Sequence, residues 1–171
     1  LEACYTLLGI DKAKSVNPQK IDSLLGTALD YATFDARLGV INDVISSGKL
    51  ELIKDADLRL LLNQWTGELS DYVEDVILRR NFVSINYAIL TRYVPVRNGD
   101  NTQDRSDYQK SYRIKPIEVD ATNYQQFIED TEVDNAWYSH YINQTFVTIN
   151  EDEIERFLLK ILDLINKNIN D

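Results

Sequence analysis

His140 is the only histidine among the 171 residues of the chain. Metalloprotease motifs, serine and cysteine triads, and paired Glu-x-x-His metal sites each need a histidine in a defined context. Three residues before His140 the chain has Trp137 rather than a glutamate. We therefore interpret His140 as a half-buried core residue rather than a catalytic base, a position in which it could titrate near neutral pH.

Cys4 is the only cysteine, which excludes an intrachain disulfide and a cysteine-rich zinc site. We interpret it as a small apolar residue of the core and not as a reactive thiol. The six glycines are scattered singly, so the chain has no glycine-rich loop that could hold a phosphate. We expect no cofactor and no metal.

Carboxylates are the most abundant groups that could do chemistry, and several occur in pairs. Paired carboxylates perform acid–base catalysis in glycosidases, but such sites also need a cleft lined by convergent groups. Residues 100–104 with Asp107 are rich in oxygen ligands, yet they lack the central glycine and the terminal glutamate of an EF-hand. We expect solvated helix faces and a flexible acidic loop instead. The carboxylates concerned are Asp55, Asp57, Glu74, Asp75, Glu129, Asp130 and residues 151–153.

Ten tyrosines and two tryptophans make aromatic side chains a second candidate feature. Aromatic residues on facing helices can line a ligand pocket, although they more often fill the wide spaces of a bundle core. We expect the core role and retain the pocket as an alternative. The possible ligand pocket would comprise Trp65, Tyr72, Trp137, His140 and Tyr141.

The chain carries 18 Lys and Arg against 28 Asp and Glu, a formal net charge of −10. This charge repels a phosphate backbone and an anionic membrane surface, so we expect no nucleic-acid partner. No run of about 18 apolar residues could cross a bilayer, and no signal peptide is present. Because the chain starts without Met and in the middle of a helical pattern, we expect that an upstream segment has been removed.

Apolar residues recur at alternating steps of four and three, a spacing that is typical of amphipathic helices. Asn17, Asp55 and either Asp120 or Thr122 are the expected helix caps, while Gly48 and Pro95 are the expected stops. We expect the helix that Asp55 opens to be the longest element. Helices are predicted over residues 1–10, 18–30, 56–94 and about 132–170. A further helix follows the cap at Asp35, with Leu38, Ile41, Val44 and Ile45 on its buried face, and ends at residues 46–48. Another follows Asp120 or Thr122 and carries Tyr124, Phe127 and Ile128.

Three connecting segments are predicted between these helices. Residues 31–34 form a turn before a cap at Asp35, and residues 49–54 form a short connector that packs on the core through Leu50, Leu52 and Ile53. Residues 96–119 form a long loop with a turn at 97–101. Its second half is expected to lie against the bundle through Tyr108, Tyr112, Ile114 and Ile117.

These elements predict an all-α fold, an elongated helical bundle that forms one domain over residues 1–171. Two long helices, over residues 56–94 and about 132–170, are expected to run antiparallel with the shorter helices packed on them. Asn150 with Glu153 resembles a capping box, which leaves open a break in the last helix. We favour one continuous helix.

Part of the chain resembles the bacterial family called domain of unknown function 6090. The resemblance is carried by the signature FDAR at residues 34–37, ISSGKLELIK at 45–54, the pair LR at 58–59 and the tryptophan-bearing helix that contains Trp65. The segment 18–29 and the carboxyl-terminal helix are also similar, so the resemblance covers most of the chain. Residues 96–119 match only loosely.

Members of that family, common in Bacteroidota, have a short basic amino-terminal tail, one transmembrane helix and then a soluble helical region. The resemblance implies that residues 1–10 are the end of a helix leaving an upstream membrane anchor. It also implies a place in the bacterial cell envelope, on the extracytoplasmic (periplasmic) side of the inner membrane. The family has no established activity, so no catalytic residue is carried over.

Three functions are therefore considered, in order of preference. The first is a non-enzymatic, membrane-tethered module that acts by protein–protein interaction, with another protein or with itself. The second is a ligand-sensing bundle that uses the aromatic pocket. The third is a carboxylate-based or metal-assisted hydrolase, which would need several acids converging on His140 in a cleft.

Overall fold

The computed structural model describes residues 1–30, 38–103 and 114–170. Over these residues the protein is all-α with no β-strand, which confirms the predicted fold class. The helices are α1 (Glu2–Leu8), α2 (Pro18–Leu29), α3 (Gly39–Ser46), α4 (Ala56–Leu90), α5 (Val96–Asp100), α6 (Ala121–Glu129) and α7 (Thr131–Asn170), with a 3₁₀ helix at Lys49–Leu52.

Side chains cap the helices at the predicted residues. The Asn17 carboxamide oxygen accepts a hydrogen bond from the backbone N–H of Lys20 at 3.1 Å, which starts α2. Asp120, rather than Thr122, caps α6. After α3 the backbone turns at Gly48, whose φ of +71° is the left-handed conformation that favours glycine. The cap at Asp35 and the turn at 31–34 lie outside the described residues.

The carboxyl-terminal helix α7 is continuous over 40 residues. The alternative of a break at Asn150 is therefore wrong. The Asn150 side chain donates a hydrogen bond to Asp75 on α4 at 2.5 Å, so it joins two helices instead of capping one. Helix α7 is also longer than α4, which has 35 residues, so the expectation that Asp55 opens the longest element is wrong.

Helix α4 ends at Leu90, four residues before the predicted end at Val94. The cause is Tyr93, which adopts a left-handed φ of 74° that an α-helix cannot contain. The Tyr93 hydroxyl donates a hydrogen bond to Asp130 at 2.8 Å, which helps to hold this conformation. Pro95 then acts as the N-cap of α5 rather than as the first stop of α4.

The predicted loop over 96–119 needs correction at its start, because residues 96–100 form α5 where a turn was expected. Ile114 and Ile117 are exposed, so those two side chains do not pack on a core as predicted; Tyr108 and Tyr112 lie outside the described residues. In the connector before α4, Leu50 and Ile53 are half-buried, but Leu52 is 77% exposed. A 3₁₀ helix has three residues per turn, and this one turns Leu52 outward.

The described residues group into two compact units, whereas one domain is predicted from the sequence. Unit 1 comprises the described residues of Leu1–Ala32 and Leu78–Thr145. The Trp137 indole N–H donates to the Leu90 carbonyl at 3.2 Å, and the His140 ring stacks on Phe82. Within unit 1, α4 and α7 therefore run antiparallel. The buried core of unit 1 is Ala3, Cys4, Leu7, Ile21, Leu25, Ala28, Leu90, Val94, Tyr124, Phe127, Ile128, Val133, Ala136 and Trp137.

Unit 2 comprises the described residues of Thr33–Ile77 and Phe146–Asp171. The Trp65 and Phe157 rings stack with their centroids 6.0 Å apart, and Asn168 donates a hydrogen bond to Asp55 at 3.0 Å. These contacts, with the one between Asp75 and Asn150, show that α4 and α7 also run antiparallel within unit 2. The buried core of unit 2 is Leu58, Leu61, Trp65, Leu69, Tyr72, Val147, Ile154 and Ile161.

Helices α2 and α5 of unit 1 pack with their backbones in direct contact at Gly26 and Gly99. A Cβ added at Gly26 would lie 2.3 Å from the Gly99 carbonyl oxygen, and one added at Gly99 would lie 2.7 Å from the Asp22 carbonyl oxygen. Only glycine permits this approach, because a methyl group at either place would overlap backbone atoms that cannot move aside. This contact places Asn98, on α5, in the interior of unit 1.

We expect Gly26→Ala to lower the free energy of unfolding by about 1–3 kcal/mol, because the added methyl group overpacks a backbone contact. Gly67→Ala is the matched control, since a Cβ there meets nothing within 4 Å and the helix interior favours alanine over glycine. Urea unfolding followed by far-UV circular dichroism measures both variants. Equal stability of the two variants would contradict the close approach of α2 and α5.

Candidate functional site

The five residues of the predicted aromatic pocket are divided between the two units. Trp65 and Tyr72 are buried in the core of unit 2. Trp137 is buried in the core of unit 1, with Tyr141 half-buried against it. His140 is buried beside Trp137, and their ring centroids are 5.5 Å apart. Neither unit holds all five.

His140 is more deeply buried than the predicted half-buried position, with 0% of its surface exposed. Its Nε2 lies 3.0 Å from the Ala28 carbonyl oxygen, so this nitrogen carries the proton and donates. Among the described residues Nδ1 has no hydrogen-bond partner. Burial lowers the pKa of His140, since a charged ring would lose its hydration, and the nearby positive charge of Arg79 lowers it further. The ring is enclosed, which prevents it from reaching a substrate.

Arg79 is buried in unit 1 near His140 and Cys4. Its guanidinium donates a hydrogen bond to the Asp30 carbonyl oxygen at 3.1 Å, just beyond the carboxyl end of α2, where the helix dipole favours a cation. Burial raises the pKa of the Cys4 thiol, an effect that the Arg79 charge partly opposes. Cys4 is therefore a protonated, enclosed thiol at neutral pH, without the exposure that a nucleophile needs.

A buried polar network in unit 1 was not predicted from the sequence. The Tyr124 hydroxyl donates to the Asp22 carboxylate, with its oxygen 3.0 and 3.1 Å from the two carboxylate oxygens. Asn98 forms two hydrogen bonds with the backbone of Ile117, each at 3.0 Å. Burial raises the pKa of Asp22, and the hydrogen bond from the Tyr124 hydroxyl partly offsets this rise. This network holds the segment after α5 against the core, which is a structural role.

A second polar cluster lies where α4 ends and α7 begins. The Arg92 guanidinium pairs with Asp130 at 3.1 Å and with Glu132 at 2.8 Å. Asp130 also caps α7 by accepting hydrogen bonds from the backbone N–H groups of Glu132 and Val133. These donors, of which the Tyr93 hydroxyl is the strongest, lower the pKa of Asp130 to about 2. A carboxylate held ionised in this way is a poor general acid, so the cluster is a helix start rather than a catalytic pair.

Asp55, another of the candidate carboxylates, has a structural role. Asp55 is committed to capping α4, where it accepts from the backbone N–H groups of Asp57 and Leu58. Across residues 1–30, 38–103 and 114–170, no group of three or more His, Cys, Asp or Glu side chains is placed to hold a metal ion. In the predicted acidic loop, Asp104 and Asp107 lie outside the described residues.

Unit 1 has a shallow pocket between α1, α6 and α7 with about 20 Å³ of internal space, roughly the room that one water molecule needs. Its walls are apolar and include Trp137, one of the five predicted pocket residues. Lys12 and Asp134 form an ion pair at 3.1 Å in its lining. The remaining lining residues are Leu7, Leu8, Ile10, Phe127, Ile128 and Val133.

The part of α7 that belongs to unit 2 exposes a row of large apolar side chains. Leu158, Leu162 and Ile169 are 37%, 53% and 75% exposed, and the adjacent Leu159 is 57% exposed. Glu151 and Glu155 are exposed on the same side of the helix, one to two turns earlier. We call Glu151, Glu155, Leu158, Leu162 and Ile169 the acidic–apolar face.

Comparisons of the chain with protein-family models, with curated proteins and with solved structures found no match. The resemblance to domain of unknown function 6090 therefore stays a prediction. Within the described residues, no helix combines the length and the apolar character that crossing a membrane requires.

The burial of His140 predicts a pH-dependent stability. The pKa of His140 is lowered in the folded protein, whereas an unfolded histidine titrates near 6.5, so below that pH the unfolded chain binds more protons. The contribution of neutral His140 to the free energy of unfolding is therefore fully present above about pH 6.5, and it is lost as the pH falls below that value. Between pH 7 and 5.5 we expect the wild type to lose about 1 kcal/mol more than His140→Gln, as measured by urea unfolding at each pH.

The comparison with His140→Gln removes the titration of carboxylates, which both proteins share. Parallel stability profiles of the two proteins over this pH range would show that His140 is protonated as easily in the folded state as in the unfolded one.

Tyr124→Phe tests the buried network. The variant leaves the Asp22 carboxylate without its hydroxyl donor, and we expect the free energy of unfolding to fall by about 1–3 kcal/mol. Tyr138→Phe is the control, because that residue is 56% exposed and lies outside the buried network. Both are measured by urea unfolding at pH 7. A Tyr124→Phe variant as stable as the control would mean that the network contributes nothing to stability.

Proposed function

We propose that this protein is a non-enzymatic helical module that binds another protein through the acidic–apolar face of α7. The observation that carries the proposal is the exposure of Leu158, Leu162 and Ile169 along one side of a helix. Each of these side chains leaves apolar surface in water, at a cost of about 25 cal/mol per Å². A docking protein recovers that free energy, and the spacing of the three suits a partner that lies along the helix.

The chemistry of the other candidate residues supports a role without catalysis. His140 is enclosed and its Nε2 hydrogen is committed to Ala28. Asp55, Asp120 and Asp130 cap helices, so their carboxylates are occupied by backbone N–H groups. A hydrolase would need free carboxylates or a histidine that converge in a cleft.

A second part of the proposal concerns location. The resemblance to domain of unknown function 6090 supports tethering to the inner membrane of a bacterium, with this part of the protein on the extracytoplasmic side. Protease added to spheroplasts would then digest this part of the full-length protein while cytoplasmic markers stay intact. Digestion only after lysis would contradict the location without affecting the binding function.

The binding function is tested by photocrosslinking in the cells where the gene is native. A photoreactive phenylalanine analogue replaces Leu162 on the acidic–apolar face, and in the control it replaces Leu60, which is equally exposed on α4. We expect a discrete protein adduct from position 162 and none from position 60. Adding Leu158→Ser should weaken the adduct about tenfold, because more than 1 kcal/mol of apolar contact is lost.

Adducts of equal yield from both positions, or adducts that Leu158→Ser leaves unchanged, would contradict the proposal. An adduct between two copies of the chain would identify self-association as the binding function, since crosslinked homodimers have twice the mass of the monomer.

A further inference from the structure

We infer that the partner of the acidic–apolar face is a basic amphipathic helix, an inference that rests on the binding function proposed above. The partner would lay its apolar side chains on Leu158, Leu162 and Ile169 and direct its lysines or arginines to Glu151 and Glu155. The distribution of charge on unit 2 selects this class of partner.

The face is a single surface, as helix geometry shows. At about 100° per residue, Glu151, Glu155, Leu158, Leu162 and Ile169 all lie within about 60° of one another around the axis of α7. The two carboxylates occupy the amino-terminal end of this face and the apolar side chains occupy the rest. A partner that fits therefore needs cationic groups at one end and apolar groups along the same side.

The basic residues of this part of α7 point to the other side of the helix. Arg156, Lys160 and Lys167 lie about 140–180° from Glu151 around the axis. The Lys167 ammonium forms an ion pair with Asp163 at 2.9 Å, and this carboxylate balances its charge. None of the three is placed to neutralise the carboxylates of the face.

The segments of α4 and α7 that flank the two carboxylates carry no lysine or arginine. Between residues 60 and 78, α4 has four carboxylates and no lysine or arginine. Between residues 131 and 155, α7 also has neither. Within the described residues, the contact that Glu151 makes is a hydrogen bond at 3.3 Å from the Tyr72 hydroxyl, and no ion pair involves Glu155. The two carboxylates therefore keep their negative potential, which attracts a cationic helix.

The same charges disfavour a second copy of this chain as the occupant. Each chain has a formal net charge of −10, and a copy docked by the same face would bring further carboxylates against Glu151 and Glu155. Like charges that meet across an interface cost several kcal/mol, while a basic helix gains from the same arrangement.

The inference is tested with three fluorescent 18-residue peptides that share one leucine face and differ in the polar face, which is lysine, glutamine or glutamate. Fluorescence anisotropy with the whole chain gives each dissociation constant. We expect the lysine peptide to bind at least about tenfold more tightly than the glutamine peptide, and the glutamate peptide more weakly than both. Raising the NaCl concentration from 0.05 M to 0.5 M should reduce the difference, because salt screens exposed charges.

Two variants separate the contributions of charge and apolar contact. Glu151→Gln/Glu155→Gln should weaken the lysine peptide about tenfold and leave the glutamine peptide unchanged. Leu158→Ser/Leu162→Ser should weaken both peptides. Val40→Ser/Leu60→Ser, at exposed positions off the face, is the control and should change neither.

Equal affinity for the lysine and glutamine peptides would overturn the inference while the binding function stands. Unchanged binding of the lysine peptide to the Leu158→Ser/Leu162→Ser variant would also overturn it. The peptide would then be held by charge alone, without apolar contact to the face. If no peptide binds, the inference fails, and photocrosslinking at position 162 decides separately whether the face binds any protein.

Discussion

Mutual burial of the apolar stripes of α4 and α7 is the interaction on which the rest of the structure depends. A helix of 35 or 40 residues gains little stability from its own hydrogen bonds in water, so a packed face must supply the rest. In unit 2 that face includes Trp65 and Tyr72 on α4 and Ile154 on α7. In unit 1 the Trp137 indole reaches the last carbonyl group of α4, which ties packing to a hydrogen bond.

Much of the fold could be predicted because helix signals are local. The four/three spacing gave the helices, and Asn17 and Asp120 are short polar side chains at positions where backbone N–H groups need acceptors. The continuity of α7 through its polar middle also followed from the spacing. Each of these features depends on residues a few positions apart along the chain.

The features that were missed depend on contacts between distant segments. Tyr93, whose left-handed backbone follows the early end of α4, donates a hydrogen bond from its hydroxyl to Asp130, 37 residues away. Helix α5 forms where the glycine and asparagine of a turn signal are buried against α2. On α4, Leu78 and Ile85 are 56% and 81% exposed although both are apolar residues of an amphipathic helix. An amphipathic pattern shows which side of a helix can pack against a neighbour, but it does not show how much of that side the neighbouring helices bury.

For the candidate site, the local spacing predicts burial but not which distant residues share a core. Periodicity placed Trp65, Tyr72, Trp137, His140 and Tyr141 on inward faces, and the first four are buried. It could not assign Trp65 and Tyr72 to one unit and the other three to another. The acidic–apolar face was not predicted either, because the apolar spacing of α7 does not show that Leu158 is 37% exposed.

The division of the two tryptophans between the units has a practical consequence. Trp65 is enclosed in unit 2 and Trp137 in unit 1, and the chain has no third indole. Substituting either one by phenylalanine leaves an emission spectrum that originates in a single unit. The red shift of tryptophan emission in each single-tryptophan variant during denaturation would then show whether the two cores unfold together or one after the other.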